Sequence, residues 1–448
     1  MKKLSFGQTM AVASMLFGLF FGAGNLIFPA SMGQLAGRSV WAAAAGFLIT
    51  GVGLPLLGVA ALGVSRERGL FELSRRAGRP FGLLFTCALY LTIGPFFAIP
   101  RCATVSYTVG VQRVLPEGAM GAALALFSVL FFAAVLFFSL RRGEILTWVG
   151  KVLTPLFLCF LGLLLLRALT APLGVIADAP PLGSYDGGAF STGLLEGYNT
   201  MDALAGLAFG IIVVDVIRSL GVTEPGDVAR STVRAGVFSA ALMALIYVLV
   251  AVAGAQTRGA FAVSGNGGEV LAQIAEHYFG PAGALILAVT VTVACLKTAV
   301  GLITSCSETF VKLFPKGPSY RIWAAGFCVL SLLIANLGLE AITAWSQPVL
   351  MFLYPLAIAL ILLTLCGGRF QNDRTVLLST LVFTAAAAVF DLLRALPAPA
   401  RAALHLDGSF LTGTWLPLAE HGFGWVCPAL AGLLLGLFLR ARRRSLAQ

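Results

Sequence analysis

The chain has 448 residues, 59% of them apolar and 11% charged, with a net charge of +11. Charged residues make up about 25% of an ordinary soluble domain, so a water-soluble globule is excluded, as are a disordered chain, a collagen-like repeat and a disulfide scaffold. Its apolar runs are long and continuous, not short and alternating, which excludes a membrane β-barrel and leaves an all-α polytopic membrane protein.

A spanning helix needs about 20 residues, so twelve helices use roughly 250 and leave connections of about 15. Charged residues mark the ends of the runs and place helices near 9–30, 40–63, 81–100, 119–140, 148–170, 192–216, 235–256, 283–307, 321–337, 344–365, 375–394 and 420–440. The first follows Lys2 and Lys3, as a signal peptide would. The charge-free stretch from Leu4 to Gly37 is too long for a cleaved signal, however, and is read as a span. Between the seventh and eighth runs, Asn266–Gly280 reads as a short helix. Asn266 is its cap, and Val270, Ile274 and Tyr278 fall at helical spacing. It is either a lid over an external vestibule or an ordinary surface helix. The eight cysteines are scattered singly and read as small buried hydrophobes. His277, His405 and His421 form no metal cluster.

The positive-inside rule tests this count. With the N-terminus inside, 22 of the 30 basic residues fall on inner connections. Arg38, Arg101, Arg113, Arg167, Arg258, Arg394 and Arg401 fall outside, and Lys297 lies within a span. One helix more or fewer would collapse the bias, so both termini are expected in the cytoplasm. The net charge therefore reports orientation and not a nucleic-acid partner.

Two spans carry breaks. The first contains Gly18, Gly22, Gly24, Asn25 and Pro29. The sixth contains Gly197-Tyr-Asn-Thr200-Met201-Asp202-Ala203, followed by Gly206 and Gly210. Gly18/Gly22 and Gly206/Gly210 both have the spacing that lets helices pack closely. Packing does not explain Asn25, Thr200 or Asp202, because a carboxylate at this depth is costly unless paired or functional. The breaks fall five helices apart, and a repeat of five inserts its second copy upside down. Matched broken helices in inverted halves point to a transporter's central site. Half-helix N-termini offer donors to an anion and unwound carbonyls face a cation, which suits an amino acid.

The eighth span carries Lys297 and Thr298, then Thr304 and Ser305. Lys297 lies too deep to snorkel easily to an interface. It and Asp202 are the only opposite charges well inside the spans, and they are expected to be coupled, directly or through a substrate or ion.

These residues carry a resemblance. Phe21-Gly-Ala-Gly-Asn25-Leu-Ile-Phe-Pro29 resembles the first helix of the branched-chain amino acid:cation symporter family (LIVCS). Gly94-Pro-Phe-Phe-Ala-Ile-Pro-Arg101-Cys-Ala-Thr-Val-Ser, Gly197-Tyr-Asn-Thr-Met-Asp202-Ala-Leu, Thr298-Ala-Val-Gly-Leu and Asn336-Leu-Gly resemble its later helices. The likeness is collinear over essentially the whole chain. Through the amino acid–polyamine–organocation superfamily it implies the leucine-transporter fold, five helices plus five in inverted repeat and two more. The repeats would cover 1–190 and 191–366, with the last two helices and a basic tail in 367–448. It implies uptake of leucine, isoleucine and valine across the bacterial inner membrane, driven by sodium or protons, with no cofactor and no obligate protein partner. It also implies that the substrate's α-carboxylate meets backbone N–H groups around Gly22, Ala23, Gly24 and Asn25. The amino group would meet carbonyls around Thr200, Met201, Asp202 and Ala203. Sodium-coupled members of the fold use span-one carbonyls and span-eight hydroxyls. One alignment of span eight puts Lys297 and Thr298 in that candidate sodium site, so that an ammonium takes the cation's place and a proton can replace sodium. The other puts Thr304 and Ser305 there and keeps both hydroxyls.

Three rivals frame the reading, and one of them, a channel, would lack the saturable flux and counterflow of a carrier. A major-facilitator carrier would have a longer central loop and breaks spaced by six. A membrane enzyme would need a catalytic constellation, and no HExxH, GxSxG or paired-histidine motif occurs.

Overall fold

The computed structural model describes residues 4–22, 24–65, 67, 69–112, 116–141, 154–406 and 416–446. Lys2, Lys3, Ala23, Arg113 and the start of the fifth expected span lie outside the described residues. Among the described residues every regular element is helical.

The first run is two helices. α1, Phe6–Phe20, starts on a capping box in which Ser5 and Gln8 each satisfy the other's backbone N–H. It stops at Phe21, whose backbone is extended, and α2 resumes over Gly24–Ala36. Next come α3 (Val40–Leu48) and α4 (Leu54–Ser65), joined by a π turn at Ile49–Gly53. After the short α5 (Leu70–Ser74), α6 (Arg79–Leu91) leads through a second π turn into α7 (Ala98–Gly110).

This third run is longer than the sequence suggests. The charge of Arg101 reads as its end, yet the backbone leaves helical geometry only at Gly94 and Phe97 and resumes it at Ala98. Pro100 stands in the first turn of α7, where no intrahelical donor is needed. The helix therefore continues, and Arg101 is not an outer-loop residue but a helical one, 2% exposed.

α8 (Met120–Leu140) and α9 (Thr154–Thr170) follow. The sixth run is α10 (Ala189–Glu196), a 3₁₀ turn over Gly197–Thr200, and α11 (Asp202–Ser219), bent by 43°. Then come α12 (Pro225–Gln256), α13 (Gly267–Leu313), α14 (Tyr320–Ala335) and α15 (Leu339–Leu365). The short α16 (Gly367–Phe370), α17 (Arg374–Ala395), the short α18 (Ala398–Ala403) and α19 (Val426–Leu446) finish the chain. Among the described residues, seven stretches are long and apolar enough to cross a membrane, and the bent pair makes an eighth. α1, α14 and Leu158–Thr170 are apolar but shorter.

The short helix expected at Asn266–Gly280 and the eighth run form one element, α13, with Gly280 at φ 63 as its corner. Asn266 Oδ1 caps it by accepting the N–H groups of Gly268 and Glu269. Val270 and Ile274 are fully buried, so this stretch is packed against the rest of the protein.

Glycines set how closely the helices approach. Between α2 and α12, a Cβ on Gly33 or Gly254 would overlap the carbonyl of Ala251 or Ala30. Between α3 and α10, Gly46 and Gly193 meet the carbonyls of Phe190 and Ala43 in the same way. On α11, Gly206 lies against Pro55 and Gly210 against Val59 of α4. The Gly206/Gly210 pair is thus a packing stripe. In lipid, where burying apolar surface drives little association, such contacts hold helices together.

Candidate functional site

The two breaks face each other. Between them lies a cavity of about 640 Å³, bounded by the end of α1, the start of α2, α7, α11 and α13. Asn25 joins the parts. Its Oδ1 accepts the N–H of Gly22 at 2.8 Å, tying off the end of the break. Its Nδ2 donates to Asp202 Oδ2 at 2.6 Å and to the hydroxyl of Tyr247 on α12. Tyr247 in turn donates to Asp202 Oδ2 at 2.9 Å. Three elements therefore meet at one carboxylate.

Local sequence explains why Asp202 stands there. Met201 takes a left-handed conformation, φ 62, and ends the 3₁₀ turn. That conformation costs about 1–2 kcal/mol in a residue with a Cβ. It is held by burial of the Met201 side chain, 2% exposed, and by Thr200. The Thr200 hydroxyl donates to the Gly197 carbonyl at 2.9 Å and accepts the Asp202 N–H at 3.3 Å. α11 then begins with Asp202 at its positive end, which favours a carboxylate. Two hydrogen bonds offset part of the cost of burying it.

Span eight supplies the opposite wall. A Cβ on Gly18 would come within 3.1 Å of Lys297 Nζ, and one on Gly22 within 3.3 Å of Thr298 Cγ2. The Gly18/Gly22 pair has the same spacing as Gly206/Gly210 but a different use. It opens the end of α1 to an ammonium and a hydroxyl. Thr304 and Ser305 also line the cavity, about two turns further along α13. The cavity continues between α11 and α13 to Asp215, Glu308 and Lys312, roughly 20 Å along α11 from Asp202.

The other end is shut. Arg101 donates to the Asn199 carbonyl at 2.6 Å and to Ser346 Oγ at 3.1 Å. Its guanidinium carbon sits 4.9 Å from the centre of the Phe28 ring. Tyr198 and Tyr354 stack beside it, ring centres 4.0 Å apart.

The sequence-derived residues distribute as follows. Gly22, Gly24, Asn25, Thr200, Met201, Asp202, Lys297, Thr298, Thr304 and Ser305 all line the cavity. Ala23 lies outside the described residues. Ala203 is fully buried and points its carbonyl at Gly58 of α4. The direct form of the Asp202–Lys297 pairing is not what the structure holds. Asp202 is bonded to Asn25 and Tyr247, and Lys297 reaches toward Gly18.

Two residues escaped the sequence reading. Tyr247 sits in an unbroken apolar helix, and nothing local marks its hydroxyl as bonded to a carboxylate 45 residues away. Arg101 did carry a signal. The hydroxyl-rich run Cys102-Ala-Thr104-Val-Ser106-Tyr107-Thr108 after it is unlike a solvated loop, and every one of those residues is buried.

The profile of a family described as "Branched-chain amino acid transport protein" matches residues 5–443. The chain is 51% identical over 431 residues, 95% of each protein, to a protein of Lactobacillus delbrueckii subsp. lactis named branched-chain amino acid permease BrnQ. Among solved structures, Mhp1 in its inward-facing conformation superposes with a TM-score of 0.61 at 15% identity, covering 98% of this chain and 91% of that one. MhsT in complex with L-phenylalanine gives a TM-score of 0.59 at 16% identity, covering 98% of this chain and all of that one, which establishes a shared fold.

Proposed function

The chain belongs to the branched-chain amino acid transport protein family, and from that premise we propose that it imports leucine, isoleucine and valine by cation symport and alternating access. It is a multi-pass membrane protein, placed by this reading in the bacterial plasma membrane. Twelve crossings, with both termini cytoplasmic, account for the excess of basic residues on one side. The repeats are 1–190 and 191–366, inverted, with 367–448 as accessory helices and tail. The similar use of close glycine contacts around both broken runs supports that symmetry.

One observation carries the functional reading. Two helices broken at Gly22 and Met201 meet around a common cavity, bridged by Asn25 and Asp202, residues 177 apart in the chain. Broken backbone is tolerated at membrane depth only where it is buried in protein or lines a polar cavity. The free N–H groups at the start of α2 suit the substrate's α-carboxylate. Carbonyls at the two breaks, with Asp202 beside them, suit its ammonium. Asn25 and Asp202 serve this site mainly as braces, since their side chains bond each other and Tyr247. The aliphatic chain lies against Ile93, Ala205 and Phe209. Such a pocket separates ligands differing by one methylene by only about 1–3 kcal/mol, so overlapping substrates follow.

The bundle of spans one, two, six and seven rocks against spans three, four, eight and nine. The cavity opens toward Asp215, Glu308 and Lys312 and is closed at Arg101, which fits an inward-open state. The ion site is read at Lys297 and Thr298, because Thr298 touches Gly22 while Thr304 and Ser305 lie nearer the mouth. An ammonium beside Gly18 takes the place a sodium ion would hold, and a proton becomes the co-transported cation. Leucine uptake into proteoliposomes, driven first by a sodium gradient and then by a pH gradient, tests both levels. Saturable uptake under either gradient is expected of the carrier, with the pH gradient the more effective. Strong sodium stimulation would end the lysine substitution, and no uptake under either would end the symport reading.

A further inference from the structure

A buried guanidinium closes the cavity without an anion of its own. Arg101 is 2% exposed and lines the cavity. Its two protein partners, the Asn199 carbonyl and the Ser346 hydroxyl, are neutral. Its Nε is buried and has no partner. It makes no ion pair with a described carboxylate. Glu196 acts on it electrostatically, but that carboxylate is bonded to Asn199 Nδ2 at 2.9 Å. A full charge taken out of water without a counter-ion is unfavourable. A guanidinium is also the side chain whose flat fork matches a carboxylate through two parallel hydrogen bonds.

Position narrows the anion to one class. Phe28, under the guanidinium, belongs to the second turn of α2, and its ring also lies 3.3 Å from the place of a Cβ on Gly24. The Phe28 ring thus touches both the guanidinium and the start of α2, and sets Arg101 at the α2 side of the cavity. The other cations lining the cavity are elsewhere. Lys297 is beside Gly18 at the end of α1, and Lys312 is at the mouth.

We infer that Arg101 is the charged half of the substrate's α-carboxylate site, facing the start of α2 across the ligand, an assignment that rests on the amino-acid carrier reading. The bonds to Asn199 and Ser346 hold the guanidinium in place before the ligand arrives, so little ordering is left for binding. A carboxylate in the cavity then takes the guanidinium hydrogens that Asn199 and Ser346 leave over. Arg101 makes the site demand a carboxylate, where backbone N–H groups alone would also accept an amide oxygen.

The test is competition for radiolabelled leucine on the purified full-length protein, with leucine and leucinamide as competitors. The wild type is expected to prefer leucine by about 100-fold or more, as a lost charge-assisted carboxylate contact predicts. In Arg101→Gln, leucine should weaken by about 30- to 100-fold while leucinamide does not, bringing the two within about threefold of each other. Arg101→Lys keeps the charge without the fork and should retain a preference of about tenfold. It also serves if the glutamine variant does not fold. A wild type that binds leucinamide as tightly as leucine overturns the inference. So do variants that keep the wild-type preference, or that lose both ligands in parallel. A wild type that binds no leucine overturns the carrier reading itself, and this assignment with it.

Discussion

Adding one methyl group at Gly22 tests the contact between the first break and span eight. An ideal Cβ there lies 3.3 Å from Thr298 Cγ2, 3.5 Å from Thr298 Oγ1 and 3.7 Å from Asn25 Oδ1. The threonine is not free to withdraw, because its hydroxyl donates to the Ala294 carbonyl at 3.1 Å. Overpacking a tight site by a methyl costs about 1–3 kcal/mol. At about 1.4 kcal/mol per decade that is roughly a 5- to 140-fold loss. Gly22→Ala should therefore slow initial leucine uptake into proteoliposomes by a factor in that range. Thr298→Ser removes only Cγ2, the nearest atom, and keeps the hydroxyl. The double variant should then take up leucine faster than Gly22→Ala alone, with a coupling of about 0.5 kcal/mol or more. If the two substitutions simply multiply, Thr298 does not limit the site and the reasoning fails.

Three further outcomes follow from the same geometry. Tyr247→Phe leaves Asp202 Oδ2 with Asn25 as its one bond among those described, which should cost about 1–3 kcal/mol and lower the apparent melting temperature by a few degrees in a thermal-shift assay. An unchanged melting temperature would show that the hydroxyl braces nothing. Gly206→Leu drives a side chain into the backbone of Pro55, whereas Gly22→Leu drives one into the cavity wall. Immunoblots of membranes should show the first protein depleted and the second present but inactive in uptake. Lys297→Met removes the ammonium beside Gly18, and leucine uptake should lose its response to an imposed pH gradient. A full response in that variant would place proton coupling elsewhere.

The interruptions were readable because a membrane is a severe solvent. Glycines, Asn25 and Asp202 within apolar runs break a rule that soluble helices do not obey, so their presence alone marks where the helices are interrupted and the cavity lies. The Asn266 cap was readable for a similar local reason, since its partners Gly268 and Glu269 are two and three residues away. Arg101 was misplaced because a charge beside an apolar run has two meanings. It marks the end of a span when it faces water and lies within one when buried partners receive it, and only the contacts with Asn199 and Ser346 tell which applies. Gly18/Gly22 and Gly206/Gly210 show the same limit. Their spacing is identical, yet one pair faces Lys297 and Thr298 and the other a neighbouring backbone.

Composition and the distribution of charge by themselves determined that this is an all-helical membrane protein with two broken runs, because the cost of polar groups in lipid is paid residue by residue. Which polar groups meet was decided only by the tertiary structure. Asn25, Asp202 and Tyr247 are brought together from three elements, and Arg101 is set against Asn199 and Ser346. Hydrogen bonds act over about 3 Å, and no periodicity along the chain encodes which distant residues fall within that reach.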